Sequence, residues 1–418
     1  MLKAISLFTG VGGLDFGFEA AGFRTAVAVE MDAVSCRTIA LNRDWPIIED
    51  DIHRVDSRVI LRKADLRPSE PDLLVGGPPC QPFSKSGYWK SGDAGRLDDP
   101  RAGTLVAFLR VLRDVRPRAF LLENVHGLAF RGKDEGLQFL LNGIHEVNRQ
   151  AKTNYKVFWQ TLNAAQYGVP QLRERVFLVG SRDGRPFIFP PATHWDLSDG
   201  FQFTNTELLP YKTAWDALGD LPAPSEDESL KVGGFWADLL PSIPEGQNYL
   251  HHTPRGAGKP LFGWRTRYWS FLLKLAKRRP SWTIQAQPGP AIGPFHWSNR
   301  KLSVAELCRL QTFPDGLTFD CSRNEVQRLL GNAVPSLMTE ILAREIRAQF
   351  FDLRRTPGLK LMPRAQPETP GPERVKPVPK KYLELQGDHA EHPGEGKGVG
   401  AKKRQGGARP RTEPALVE

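Results

Sequence analysis

Along the first part of the chain, short apolar runs alternate with stretches whose apolar residues recur at helical spacing. Ala4-Ile5-Ser6-Leu7-Phe8 reads as a buried strand and Thr25–Glu30 as a second; Asp72–Gly76, Ala119–Leu122 and Val176–Val179 follow, with a short strand at Ile47-Ile48. Between them lie helical patterns: Leu14–Ala21, a segment capped by Asp32 that runs to Leu41, and Thr104–Val115, where Leu105, Phe108, Leu109 and Leu112 share a face. Strands separated by helices predict right-handed βαβ units. The expected fold class is α/β: a Rossmann-like, largely parallel sheet covered on both faces, with ligands at the carboxyl ends of its strands.

The pattern changes after Gly184. Pro, Asp, Trp and Gly become frequent and periodicity is weak as far as Pro280, which predicts a second, irregular and smaller domain. Helical spacing returns at Leu302–Leu310 and Val326–Ile346. After Arg354 come ten Pro, nine Gly and a single aromatic, Tyr382, a composition expected to stay disordered. The chain thus divides into 1–185, 186–280, a region 281–353 that returns to the first domain, and a tail 354–418.

Composition narrows the class further. With 40% hydrophobic and 25% charged residues, the chain is that of a soluble globular protein. No run approaches the ~18 apolar residues of a membrane helix, and MLKAISLFTG has no cleavage site of a signal peptide. Cys36, Cys80, Cys308 and Cys321 form no CxxC pair, so neither disulfides nor a metal site are expected, and the location is cytoplasmic. The net charge of +10 suggests a polyanionic partner, although residues 354–418 alone hold 14 Lys and Arg against 8 Asp and Glu. From Arg255 to Arg279 there are eight basic and no acidic residues, interleaved with Phe262, Trp264, Tyr268, Trp269 and Phe271. This run fits either a nucleic-acid cleft or a surface helix whose Trp269, Leu272, Leu273 and Leu275 form a core stripe.

Two loops at strand ends carry candidate chemistry. Phe8-Thr9-Gly10-Val11-Gly12-Gly13 joins the first strand to a helix, and Glu30 ends the second strand about 20 residues on. Glycines admit close backbone approach, and an acid there can accept from both hydroxyls of a ribose; a purely structural turn stays open as the alternative. Asp15 occupies the position where a dinucleotide fingerprint needs glycine, which argues against an NAD-dependent oxidoreductase. The second loop is Gly76-Gly77-Pro78-Pro79-Cys80-Gln81-Pro82-Phe83-Ser84. Its prolines fix their own φ and hold Cys80 stiffly, and nearby cations would make that thiol a nucleophile.

With Glu123-Asn124-Val125, Gln171-Leu172-Arg173-Glu174-Arg175, Arg300–Pro314 and Gly331-Asn332-Ala333-Val334-Pro335 in the same order, the chain resembles the bacterial-type DNA (cytosine-5) methyltransferases over roughly 3–185 and 281–346. The resemblance implies transfer of a methyl group from S-adenosyl-L-methionine, leaving S-adenosyl-L-homocysteine, to a cytosine flipped out of duplex DNA. It implies Cys80 as the nucleophile on carbon 6, Glu123 at N3, Arg175 at the cytosine oxygen and Arg173 in support. It carries the cofactor over to Phe8, Gly10, Gly12, Glu30, Asp51, Ile52, Pro78, Leu105, Asn332 and Val334. Met31 stands where the family often has an aromatic residue. Gln81, Ser84 and Ser86 would face DNA on the nucleophile loop, and Arg255, Arg265 and Arg267 in the irregular domain. A monomer at the nucleoid, with a restriction endonuclease as its genetic partner, completes the expectation. The rivals are a tRNA cytosine-5 methyltransferase, whose Cys-Phe-Thr signature is missing here, and a catalytically silent DNA-binding regulator. The DNA word recognised is not legible.

Overall fold

A computed structural model describes residues 1–79, 103–129, 135–196, 208–224, 227–263, 269–355 and 357–384. The described residues fall into two compact units. The first comprises 1–225, 277–287 and 303–370; the second comprises 226–276, 288–302 and the chain from 371 on.

The first unit is built on a seven-stranded sheet of order β3-β2-β1-β4-β5-β7-β6. The strands are β1 (Leu2–Leu7), β2 (Phe23–Glu30), β3 (Ile47–Glu49), β4 (Leu73–Gly76), β5 (Ala119–Val125), β6 (Phe158–Asn163) and β7 (Glu174–Ser181). β1 to β5 pair in parallel, and β7 runs antiparallel between β5 and β6. Alternation along each strand sends side chains to two separate cores. Ile5, Leu7, Leu74, Phe120 and Leu122 join the helices α3 (Ser57–Lys63), α4 (Gly103–Val115) and α5 (Glu135–Ala151) on one face. Ala4, Leu73, Val75, Ala119 and Leu121 join α1 (Gly13–Ala20) on the other. Because both faces are covered, these strands read as continuous apolar runs.

Most local expectations hold. Asp32 caps α2 (Ala33–Asn42) by accepting from Ser35 N at 2.8 Å. The region expected to be helical over Val326–Ile346 is two helices, α8 (Arg323–Asn332) and α9 (Ser336–Phe351), parted at Pro335, which has no N–H to donate. They follow α6 (Ala214–Leu218) and α7 (Val304–Leu310). α9 packs back on α1, where Gly13 and Gly17 clear the way. A Cβ on Gly13 would stand 2.6 Å from the carbonyl oxygen of Val334, and one on Gly17 would collide with Ser336 and Thr339.

Three expectations need correction. The boundary after the sheet falls at 225, not near 185. Phe187 packs against Phe350 with centroids 5.5 Å apart and Arg185 pairs with Asp352, so this stretch belongs to the first unit. The surface helix considered for 269–275 is absent. That segment makes isolated bridges, Phe271 to Ile292 and Lys274 to Phe295, and buries Leu272, Leu273 and Leu275. Residues 357–384 are not a disordered tail: Lys360 N and Leu361 N donate to buried Glu340, and Tyr382 of α10 (Lys380–Leu383) lies in the core of the second unit.

Candidate active site

The glycine turn and the end of β2 are neighbours because β1 and β2 pair in parallel with Leu7 opposite Val29. Phe8, Gly10 and Gly12 all adopt positive φ, of 54°, 55° and 85°. For Phe8 this is a strained conformation, for the glycines a free one. A Cβ on Gly10 would meet nothing within 4 Å, so the turn bounds open space. Glu30 closes one side of it. Its Oε2 accepts from Gly10 N at 2.7 Å, and its Oε1 from Met31 N at 2.9 Å and Asp32 N at 2.8 Å. Burial nevertheless raises its pKa, against the pull of those three amides. Three of a carboxylate's roughly four acceptor sites are thus taken by backbone, leaving capacity for about one ligand hydroxyl.

Other residues carried over to the cofactor lie around the same sheet edge. Asp51 Oδ1 accepts from His53 N at 3.0 Å and meets His53 Nδ1 at 2.7 Å. Those contacts hold the Asp51 carboxyl below its ordinary pKa. Ile52, Pro78, Leu105 and Val334 are buried, whereas Met31 and Asn332 are exposed. Val334 reaches the turn through its carbonyl beside Gly13. Two supports escape a reading of the sequence: Trp45 packs behind Gly12, and Arg328 reaches Asp32 at 2.7 Å, tying α8 to the residue after Met31.

The second cluster sits where β4 and β5 end. Antiparallel pairing of β5 with β7 sets Val125 opposite Arg175 and Glu123 opposite Phe177. Glu123 and Arg175 are therefore diagonal neighbours on one face. Arg175 Nε lies 2.8 Å from Glu123 Oε1. Burial raises the pKa of Glu123, opposed first by Arg175 and then by Arg173. The Pro-Pro-Cys loop begins against this carboxylate, since a Cβ on Gly77 would lie 3.0 Å from Glu123 Oε2. Asn124 Nδ2 donates to the Pro78 carbonyl at 3.2 Å, and Thr104 Oγ1 meets the Pro79 carbonyl at 3.5 Å. The arrangement can hold a proton or a negative charge beside a loop whose backbone is pinned at two consecutive carbonyls.

Arg173, expected in support of Arg175, is close enough for its charge to act on Glu123, but its hydrogen bonds go to later parts of the chain. It is 1% exposed and donates to the Gly331 carbonyl at 2.7 Å and the Ile284 carbonyl at 3.5 Å. Gln171 donates to the Leu310 carbonyl at 3.2 Å. These two residues fasten the later segments of the chain to the sheet, while Arg175 alone of the three turns to Glu123. Cys80, Gln81, Ser84, Ser86, Arg265 and Arg267 lie outside the described residues. Arg255 is exposed in the second unit, but Lys274 and Lys277 of the same basic run are buried at 3% exposure each. Lys274 Nζ donates to the Ile243 carbonyl at 2.5 Å, and burial pulls its pKa down to about 8. Cys36 and Cys308 are buried with pKa values pushed up to about 12, which leaves both thiols protonated and inert.

The sequence profile described as C-5 cytosine-specific DNA methylase matches residues 2–348. The chain belongs to that family. Methyl transfer to cytosine in DNA, with S-adenosylmethionine as donor, follows from membership. Type II methyltransferase M.SacI of Streptomyces achromogenes is 39% identical over 380 residues, covering 85% of this chain and 95% of the relative. M.NgoFVII of Neisseria gonorrhoeae is 32% identical over 361 residues, 84% of this chain and 87% of the relative. Among solved structures, a putative DNA modification methyltransferase from an Escherichia coli prophage aligns with a TM-score of 0.57 at 23% identity, over 84% of this chain and all of its own. DNMT2 of Spodoptera frugiperda aligns at 0.56 and 15% identity, over 83% of this chain and 99% of its own. These two likenesses show a shared methylase fold. Among the described residues of this methylase, no group of His, Cys, Asp and Glu could hold a metal ion, and no helix is long and apolar enough to cross a membrane.

Proposed function

We propose that this methylase modifies one cytosine within a specific word of duplex DNA, flipping the base out and bonding it covalently to Cys80. The observation that carries the reading is the buried Glu123–Arg175 pair, lying against Gly77 at the start of the loop that bears Cys80. Addition of the Cys80 thiolate to carbon 6 forms a carbon–sulfur bond and pushes the ring's electron pair toward N3 and carbon 5. Glu123, its pKa raised by burial, supplies the proton that N3 needs as charge gathers there. Arg175 balances that charge at the cytosine oxygen. Once carbon 5 carries the methyl group and gives its proton to solvent, the electron pair left there expels the sulfur, and N3 returns its proton to Glu123; the ring and the thiolate are both restored.

The open space beside Gly10, bounded by Glu30, fits a nucleoside-containing group. S-adenosylmethionine, when bound, supplies the electrophilic methyl group. Glu30 would hold its ribose through the remaining acceptor capacity of the carboxylate, Asp51 and Ile52 its adenine, and Phe8, Pro78, Leu105 and Val334 the walls, with Asn332 at the rim. The irregular second unit, with Arg255 exposed on it, is the candidate reader of the DNA word. Relatives named Type II methyltransferases support a role in protecting DNA from a companion restriction endonuclease.

Bisulfite sequencing of DNA from cells expressing the chain should reveal one methylated word. A duplex carrying 5-fluorocytosine in that word should form a stable adduct with the wild-type protein and none with Cys80→Ser. Methylation surviving in Cys80→Ser would refute the mechanism.

A further inference from the structure

The second unit includes a piece of chain far in sequence from the rest of it. Tyr382 is fully buried there. Its ring stacks on Trp236, with centroids 5.5 Å apart and planes 16° from parallel, and meets Phe235 edge-on at 5.7 Å. Its hydroxyl donates to the Phe235 carbonyl at 2.6 Å. Lys381 pairs with Asp238, Lys376 N donates to the Pro241 carbonyl at 3.0 Å, and Glu373 N to the Glu245 carboxylate at 2.8 Å. All these partners lie between 235 and 245, a stretch of 3₁₀ turns with no strand ladder to hold it. Trp236 also packs on Phe262 and Phe271, at 5.0 Å and 5.9 Å. The tyrosine therefore completes an aromatic cluster rather than lying over one.

The stretch just before it is anchored separately in the first unit. Glu340 accepts from Lys360 N and Leu361 N, Asp216 from Gln366 N at 3.2 Å, and the Glu368 carbonyl from Trp215 Nε1 at 2.7 Å. Side chains of each unit thus grip backbone groups of the same late segment.

We infer that residues 371–384 are an intramolecular ligand of the second unit, without which 235–245 loses the shape that DNA recognition requires. The inference rests on the reading of that unit as the one that recognises DNA. Cofactor binding, assigned to the first unit, does not depend on these residues.

Chains ending at Pro370 and at Glu384 differ only in this segment. The shorter chain should bind S-adenosylmethionine as the longer one does. Its affinity for the methylated-word duplex should fall by about tenfold or more, the reduction that follows when about a tenth of the chains or fewer hold the binding-competent shape. Its amides between 235 and 245 should exchange faster with deuterium. A synthetic peptide of residues 371–384 should restore both properties, and the same peptide with Tyr382→Ala should restore neither. In the full-length chain, Tyr382→Ala should accelerate exchange in 235–245 with cofactor affinity intact. Equal exchange and equal DNA affinity in the two truncated chains would overturn the inference, as would rescue by the alanine peptide or a loss of cofactor binding in the shorter chain. A full-length chain that methylates no DNA would sink the functional reading instead, and the exchange comparison would still decide whether the segment orders 235–245.

Discussion

The side-chain amide of Asn124 donates to the carbonyl oxygen of Pro78 at 3.2 Å, in a setting buried from water. This one bond ties the end of β5 to the backbone two residues before Cys80. Its second amide function accepts from Val125 N at 2.8 Å, so the side chain is held at both ends.

Asn124→Ala should therefore remove a buried hydrogen bond from the Pro78 carbonyl, at a cost of ~1–3 kcal/mol. If the bond positions the nucleophile loop, the loss appears in kcat, by about tenfold to a hundredfold, with KM for S-adenosylmethionine little changed. A fall confined to KM would show that the bond serves the cofactor instead.

Gly77 is a second lever on the same loop. A methyl there would press on Glu123 Oε2, which cannot yield freely because Oε1 is held by Arg175. Gly77→Ala should lower the methylation rate by about tenfold or more while shifting the stability by only ~1 kcal/mol. Wild-type turnover in this variant would show that the carboxylate has room to move.

Asp15 predicts a pH dependence of stability. It is fully buried, accepts from Ser6 Oγ and Thr25 Oγ1 at 2.9 Å each, and burial raises its pKa from 3.8 to about 6. The folded chain thus keeps this proton to a higher pH than the unfolded chain does. Its contribution to stability is fully present below pH ~4 and is lost as the pH rises to about 6, a change of ~3 kcal/mol. Denaturant titrations should show this decline for the wild type and a flatter profile for Asp15→Asn. Equal profiles would place the raised proton elsewhere.

His53 should matter to cofactor binding without touching chemistry. It gives Asp51 Oδ1 two contacts, and its ring lies 3.1 Å from where a Cβ on Gly103, the first residue of α4, would stand. His53→Ala should weaken S-adenosylmethionine binding by about fivefold, the worth of roughly one hydrogen bond. Calorimetry checks this directly, and a larger effect on kcat than on affinity would contradict it.

The sheet was legible because its signals are local. β1, β2, β4 and β5 are apolar runs, and α1, α2 and α4 carry apolar stripes or a cap within a few residues. β6 escaped because it is an edge strand: Trp159 and Gln160 face solvent and only Leu162 is deeply buried. α5 carries an ordinary stripe of Leu137, Leu140, Ile144 and Val147, which a strand-centred reading passes over. The tail misled because composition averages over many residues, whereas Tyr382 and a few backbone amides suffice to anchor it. Charge misled in the same way, since Lys274 spends its ammonium on a buried carbonyl. Within the site, motif order named Glu123 and Arg175. The clasps Asn124–Pro78, Arg173–Gly331 and Asp51–His53 depend on angles and distances that spacing does not encode.

The close crossing of α9 over Gly13 and Gly17 has a bearing on biosynthesis. While the ribosome is still upstream of residue 336, α1 has no α9 to cover it, and the glycine turn lacks the carbonyl of Val334 behind it. A nascent chain must therefore shelter that bare apolar flank until α9 itself emerges, which makes the interval before residue 351 the period of greatest exposure to aggregation and to chaperone capture.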